Sequence, residues 1–271
     1  MPDLDGFDAY SPVEIARRIE SVGQAKARMG ALPLALLGVL AGAFIGMGAM
    51  LFVLVKSDPT LGFAASAVLG GLVFAMGLLM VVVAGAELFT GNHLIVMAWA
   101  DGRVSTAQVL RNWGIVCLAN FVGAAGLALL VYGSGHAGLN AGAIGHQVVQ
   151  IAVAKQALPF VTALLRGVLC NVLVCMAVWM AMAGRSVTDK AVAVVLPLMA
   201  FVAAGFEHSI ANMYLMPLAM LLQHGGLAGD TAITWRGMLG NLLPVILGNV
   251  LGGAVGVAGI YHVIYKRPQG P

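Results

Sequence analysis

The chain is predicted to be an all-α integral membrane protein of six transmembrane helices, arranged as two three-helix halves with the second and fifth helices broken. Three observations carry that expectation. Of 271 residues, 61% are hydrophobic and only 9% are charged, a balance far from that of a soluble domain. Apolar stretches long enough to cross a hydrocarbon core of roughly 30 Å occur at about 31–55, 61–97, 110–133, 159–183, 188–222 and 237–265. Two of these stretches are much too long for one straight crossing, and each is interrupted at a corresponding place.

Residues 1–30 read as a cytoplasmic segment carrying an amphipathic helix. Ser11-Pro12-Val13-Glu14 supplies an N-cap, a proline at the first helical position and a capping-box acid. Ile15, Ile19 and Val22 then recur at helical spacing, with Arg17, Arg18, Glu20 and Lys26 on the other faces. Such a helix is either a passive interfacial anchor or a movable plug. The first apolar stretch begins only after this polar segment and is followed by further spans, so it is expected to be retained rather than removed as a signal peptide. Residues 31–266 form one membrane domain and 267–271 a cytoplasmic tail.

Orientation follows from Lys and Arg, which are enriched in cytoplasmic loops. One side collects Arg17, Arg18, Lys26, Arg28, Arg103, Arg111, Arg185, Lys190, Lys266 and Arg267, and the other only Lys56, Lys155 and Arg236. Both termini are therefore expected in the cytoplasm. The net charge of +3 reflects this bias and accompanies no soluble basic domain or aromatic platform, which argues against a nucleic-acid partner. Cys117, Cys170 and Cys175 all fall inside predicted spans without metal-ligand spacing and read as small buried apolar side chains.

The two interruptions share a pattern. Ala84-Gly85-Ala86-Glu87-Leu88-Phe89-Thr90-Gly91-Asn92 and Ala204-Gly205-Phe206-Glu207-His208-Ser209-Ile210-Ala211-Asn212 both read A-G-x-E-x-x-x-x-N. A second echo joins Asn120-Phe121-Val122-Gly123 to Asn249-Val250-Leu251-Gly252. Each half has an odd number of spans, so the halves enter the membrane from opposite sides as an inverted repeat. A helix broken at membrane depth exposes backbone groups that must be satisfied within protein or line a watery cavity. Glu87 and Glu207 are expected to accept hydrogen bonds from N–H groups freed at the breaks, with Asn92 and Asn212 beside them. Two half-helix N-termini directed at one cavity would favour an anion there.

Of six histidines, His93, His136, His146, His224 and His262 lie near span ends or in loops, where solvent can serve them. His208 sits at the second break inside an apolar stretch, where an ionisable group by default marks a transport path. Thr90 offers a hydroxyl from the first break. Phe74, Leu78, Leu88, Phe89, Val174 and Phe201 are the bulky apolar groups available to close a dry constriction around them. Lys155, ahead of the fourth span, would concentrate anions at a pore mouth, and Arg166, two turns into that span, reads as a structural ion pair or subunit contact. A membrane enzyme using His208 with Glu207 and Glu87 is the competing class, but no paired-histidine metal spacing, nucleophile elbow or cofactor loop supports it. No metal and no cofactor are expected.

AELFTGN (Ala86–Asn92), KQALPFVTALLRGVLCNVLVCMAVW (Lys155–Trp179), GRSVTDK (Gly184–Lys190) and GFEHSIANMYLMP (Gly205–Pro217) resemble the formate/nitrite transporter family over nearly the whole chain. GRSVTDK and the segment after it are more similar to the formate-channel branch, whereas the GN after AELFT leans toward the nitrite branch. The resemblance implies an aquaporin-like six-helix fold, a homopentamer with one pore per protomer in the inner membrane, and passage of formate or nitrite. It further implies a central pore histidine at His208 with Thr90 as partner, a pore-mouth Lys155, neighbouring Asn171 and Asn249, and constrictions at Phe74, Leu78 and Phe201. Leu88, Phe89 and Val174 would stand alongside. Arg166 departs from the formate channels, where an apolar residue is expected.

Overall fold

A computed structural model describes residues 9–227 and 231–266; the expected tail at 267–271 lies outside the described residues. All regular structure among the described residues is helical. Helix α1 (Pro12–Arg28) starts as the sequence requires. Ser11 Oγ accepts from Glu14 N, and the Glu14 carboxylate accepts from Ser11 N at 2.7 Å. Those hydrogen bonds from the Ser11 hydroxyl and backbone hold the Glu14 carboxyl below its ordinary pKa. A depressed pKa means the cap is complete above the ordinary value and is lost as pH falls through the lowered one. Hydrogen exchange at residues 12–16 is therefore expected to quicken on acidification in the native protein and to be less pH-sensitive in Glu14→Gln.

The apolar face of α1 does not lie on a membrane surface alone. Ile15 and Ile19 are buried against Leu94, Met97 and Trp179, and Gly23 sits close on the backbone of Ile95. Among the described residues, five helices are long and apolar enough to cross a membrane by length and composition: α2 (Ala31–Lys56), α3 (Phe63–Ala84), α5 (Thr106–Gly133), α7 (Phe160–Ala181) and the run Trp235–Tyr265. That last run comprises α10 (Trp235–Val250), a π-helical stretch (Leu251–Gly259) and α11 (Ile260–Lys266). Helices α8 (Val187–Ala203) and α9 (Ser209–His224) are shorter and flank Ala204–His208. After α3 the chain likewise leaves the helix and resumes through a 3₁₀ turn, Gly91–Ile95, into α4 (Val96–Ala100). Helix α6 (Ala143–Gln156) was not anticipated, because its sequence is only mildly apolar.

Both interruptions end their helices the same way. Gly85 and Gly205 take φ of 83° and 69°, a left-handed conformation open to glycine at little cost. Ala86 N then donates to Val81 O at 3.0 Å, and Phe206 N to Phe201 O at 3.1 Å. The packing is duplicated too: α2 lies on α3 and α5 as α7 lies on α8 and α10, with α3 against α8 at the centre. Apolar residues face outward and inward alike, so periodicity does not orient these helices. Small residues do. A side chain on Gly123 would strike the backbone of Val39, and one on Gly252 would strike that of Val168, so α5 and the π-helical stretch after α10 approach their partners backbone to backbone.

Candidate functional site

The two breaks bring Thr90 and His208 together. Thr90 Oγ1 lies 3.0 Å from His208 Nε2, with Thr90 fully buried and His208 3% exposed. His208 is also the N-cap of α9, its Nδ1 accepting from Ala211 N at 3.2 Å. An Nδ1 that accepts carries no proton, so the neutral ring has its hydrogen on Nε2 and donates it to Thr90 Oγ1. The Thr90 hydroxyl hydrogen is thereby left for another acceptor. Phe74 and Phe201 meet edge to face at 5.6 Å between centroids, and both approach the His208 ring, at 6.5 and 5.9 Å. Leu78 and Leu88 line a cavity of about 170 Å³ that also reaches Lys26, Glu87 and Ile19 of α1. Phe89 instead turns its ring to the edge of His93 at 4.7 Å, and Val174 is buried in the same apolar core.

Behind the centre stands a polar network built twice. Asn120 Oδ1 accepts from Phe89 N at 2.9 Å, while its amide donates to Gly38 O and Glu87 O at 2.7 and 2.9 Å. Asn249 Oδ1 accepts from Ser209 N at 3.1 Å, while its amide donates to Gly167 O and Glu207 O at 2.8 and 3.0 Å. These asparagines, rather than the two glutamates, meet backbone N–H groups freed at the breaks. Leu37 O and Arg166 O accept from Glu87 N and Glu207 N, at 3.2 and 3.3 Å. Since both amide hydrogens of Asn249 are committed to carbonyls, none is left for a solute.

The glutamates face lysines. Glu87 pairs with Lys26 at 2.9 Å and accepts from Asn92 at 2.8 Å; Glu207 pairs with Lys155 at 2.8 Å and accepts from Asn212 at 2.7 Å. Asn92 and Asn212 donate onward to Asn112 and Asn241, at 2.9 and 2.7 Å, which in turn donate to the Lys26 and Lys155 carbonyls at 3.1 and 3.0 Å. Lys155 is thus ion-paired rather than free at a mouth, and Lys26, on α1, is its counterpart. A carboxylate buried among apolar helices needs such a cation. Each repeat therefore includes a fourth element, α1 in one half and α6 in the other. The Arg166 side chain is exposed on α7, and its carbonyl is the part that serves the break.

Asn171, the remaining expected site residue, points its amide nitrogen at Thr90 O, Asn249 O and His93 Nδ1, at 3.2, 2.6 and 2.7 Å. His93 is not solvated as expected for a span end. It is fully buried, because the chain after the first break turns inward through the 3₁₀ segment before reaching the surface at Trp99. Lys26, Asn112, Asn241 and Asn120 also belong to the network without having been singled out as site residues. The signal for the three asparagines was present in the sequence, since Asn112 and Asn120 have the same spacing as Asn241 and Asn249.

The model of the "Formate/nitrite transporter" family matches residues 13–263. The chain is 37% identical to the formate channel FocA of Escherichia coli K12 over 96% of each chain. It is 38% identical to the uncharacterized transporter YrhG of Bacillus subtilis over 94% of each. Among solved structures it superposes on a pentameric formate channel with formate bound with a TM-score of 0.82 at 34% identity, covering 88% of this chain and 98% of the other. A channel described as an FNT family ion channel gives 0.83 at 32% identity, covering 93% and 98%. A family match that runs from the capping box of α1 into the last helix, over a fold shared with solved channels, places this chain in the formate/nitrite transporter family.

Proposed function

We propose that each protomer of a homopentamer encloses one pore for small monovalent anions, formate foremost, in the inner membrane with both termini cytoplasmic. The carrying observation is the Thr90–His208 pair, buried where two broken spans meet, with the Phe74 and Phe201 rings beside His208 and Leu78 and Leu88 buried in the same core. The relatives described as formate channels support the substrate. In this reading the α8–α9 pair completes a sixth crossing. Asn171, Asn249, Asn92 and Asn212 act by holding the breaks open, and Glu87 and Glu207 by fixing Lys26 and Lys155.

An anion entering from either side meets a lysine whose charge is anchored, then sheds water at an apolar wall. A bare charge at a bilayer centre costs at least about 2.5–3.5 kcal/mol. The Thr90 hydroxyl hydrogen, released by the donation from His208, is the group placed to compensate. Full protonation of His208 requires Nδ1 to give up the Ala211 N–H, so proton transfer to the anion is tied to loosening of the α9 cap. Flux then depends on pH. The test is uptake into proteoliposomes between external pH 5 and 8. Formate uptake is expected well above that of empty vesicles, with nitrite as competitor and glycerol excluded. Glycerol uptake without formate uptake would defeat the reading in favour of a neutral-solute channel.

A further inference from the structure

Over 84–93 and 204–213 the two breaks differ at six aligned positions, and four of these exchange an apolar side chain for a hydrogen-bonding one: Leu88 with His208, Phe89 with Ser209, Thr90 with Ile210 and His93 with Met213. Glu87 and Glu207, Asn92 and Asn212, Asn112 and Asn241, and Asn120 and Asn249 are by contrast the same in both halves. Support is built twice and the hydrogen-bonding centre once. His93 belongs by this criterion with Thr90 and His208, and we propose that it is a positioning residue for the pore centre, setting Thr90 through Asn171. The inference rests on the pore reading above.

The hydrogen bonds fix how it works. Asn249 O and Thr90 O can only accept, so the Asn171 atom lying 2.6 and 3.2 Å from them is its amide nitrogen. That same nitrogen lies 2.7 Å from His93 Nδ1, which must therefore accept. The neutral His93 ring carries its hydrogen on Nε2, which is buried without a partner among the described residues. Its edges rest on Phe89 and Trp113, at 4.7 and 4.9 Å between centroids. Cys175 Sγ adds a second contact to Thr90 O at 3.4 Å. Gly253 lets the π-helical segment press onto this group: a Cβ there would stand 2.8 Å from Cys175 Sγ and 2.8 Å from His93 Cβ. One imidazole thus joins Phe89 on its ring side to the amide that holds the Thr90 backbone on its nitrogen side. A buried polar ring with one unmatched nitrogen is costly for packing alone, which fits a residue kept for what its other nitrogen does.

The test compares His93→Phe, which keeps a ring but removes the acceptor, with His93→Asn, whose Oδ1 can stand where Nδ1 does. Formate flux is read in proteoliposomes at matched content of assembled protein, as a function of formate concentration. His93→Phe is expected to lower flux at subsaturating formate about tenfold, the scale of one buried hydrogen bond, and His93→Asn to stay within about threefold of native. If His93→Phe does not assemble, His93→Met is used, since methionine occupies the equivalent position of the second break. Native-like flux in the acceptor-free variants, or equal losses in both types, overturns the proposal. So does assembly of His93→Asn when neither acceptor-free variant assembles, because the acceptor is then needed for folding. If the native protein moves no formate, the pore reading itself fails; if it does and only the His93 series disagrees, the positioning role fails alone.

Discussion

Replacing Lys155 by Met is expected to destabilise the protein by about 3–5 kcal/mol, because it strips the cation from a buried carboxylate. Glu207 is 4% exposed at its side chain and Lys155 16%, so water cannot take over the lost contact. The shift in thermal unfolding of detergent-purified protein should be on the order of 10 °C downward. The double variant Lys155→Met/Glu207→Gln removes the charge as well as its partner and should recover most of the loss. Lys26→Met should cost less, because the Lys26 side chain is 26% exposed and α1 leaves its pair nearer solvent. A Lys155→Met protein that melts like the native one would show that the second break is held by its asparagines alone.

That prediction depends on a feature the sequence displayed only in part. The A-G-x-E-x-x-x-x-N repeat located both breaks, since a glycine that must turn left-handed and an acid that needs a buried partner leave a fixed spacing. Five of the six apolar stretches hold a helix of membrane length among the described residues, for the same reason: length in lipid is set by the bilayer; the stretch 188–222 is instead divided into the shorter α8 and α9. Which residue answers each glutamate was not legible. Lys26 lies on a helix whose local pattern is fully explained by amphipathicity, and only the tertiary fold brings it to Glu87. Helix α6 escaped notice because a helix that fills a gap between other helices needs no long apolar run. His93 escaped because hydropathy places it near a span end, while the 3₁₀ turn after the break carries the chain back into the core.

The duplicated network also explains why chemistry can be confined to so few side chains. Asn120 and Asn249 carry out the same three hydrogen bonds in their halves, so this part of the support for the breaks involves neither the Thr90 hydroxyl nor His208 Nε2. A substitution at the centre can therefore change transport while leaving the scaffold assembled. By the same logic α1 is tied to the scaffold through Lys26 and Asn112, and moving it uncovers the Glu87 carboxylate.

His208→Asn separates the two jobs of the imidazole. Asparagine is among the best N-caps, and its Oδ1 can replace Nδ1 in accepting from Ala211 N. The Nε2 hydrogen that engages Thr90 Oγ1 is lost. Assembly and melting should therefore stay close to native, while formate flux falls about 10- to 100-fold, the range of a hydrogen bond to a charged group. Its dependence on external pH should also flatten, because asparagine has no proton to gain. His208→Ala removes the cap as well and should add a stability loss of about 1 kcal/mol to a similar loss of flux. Were His208→Asn to conduct formate at the native rate with the native pH profile, Nε2 would have no part in passage. The Thr90 hydroxyl and the two lysines would then have to carry the anion across the apolar walls between them.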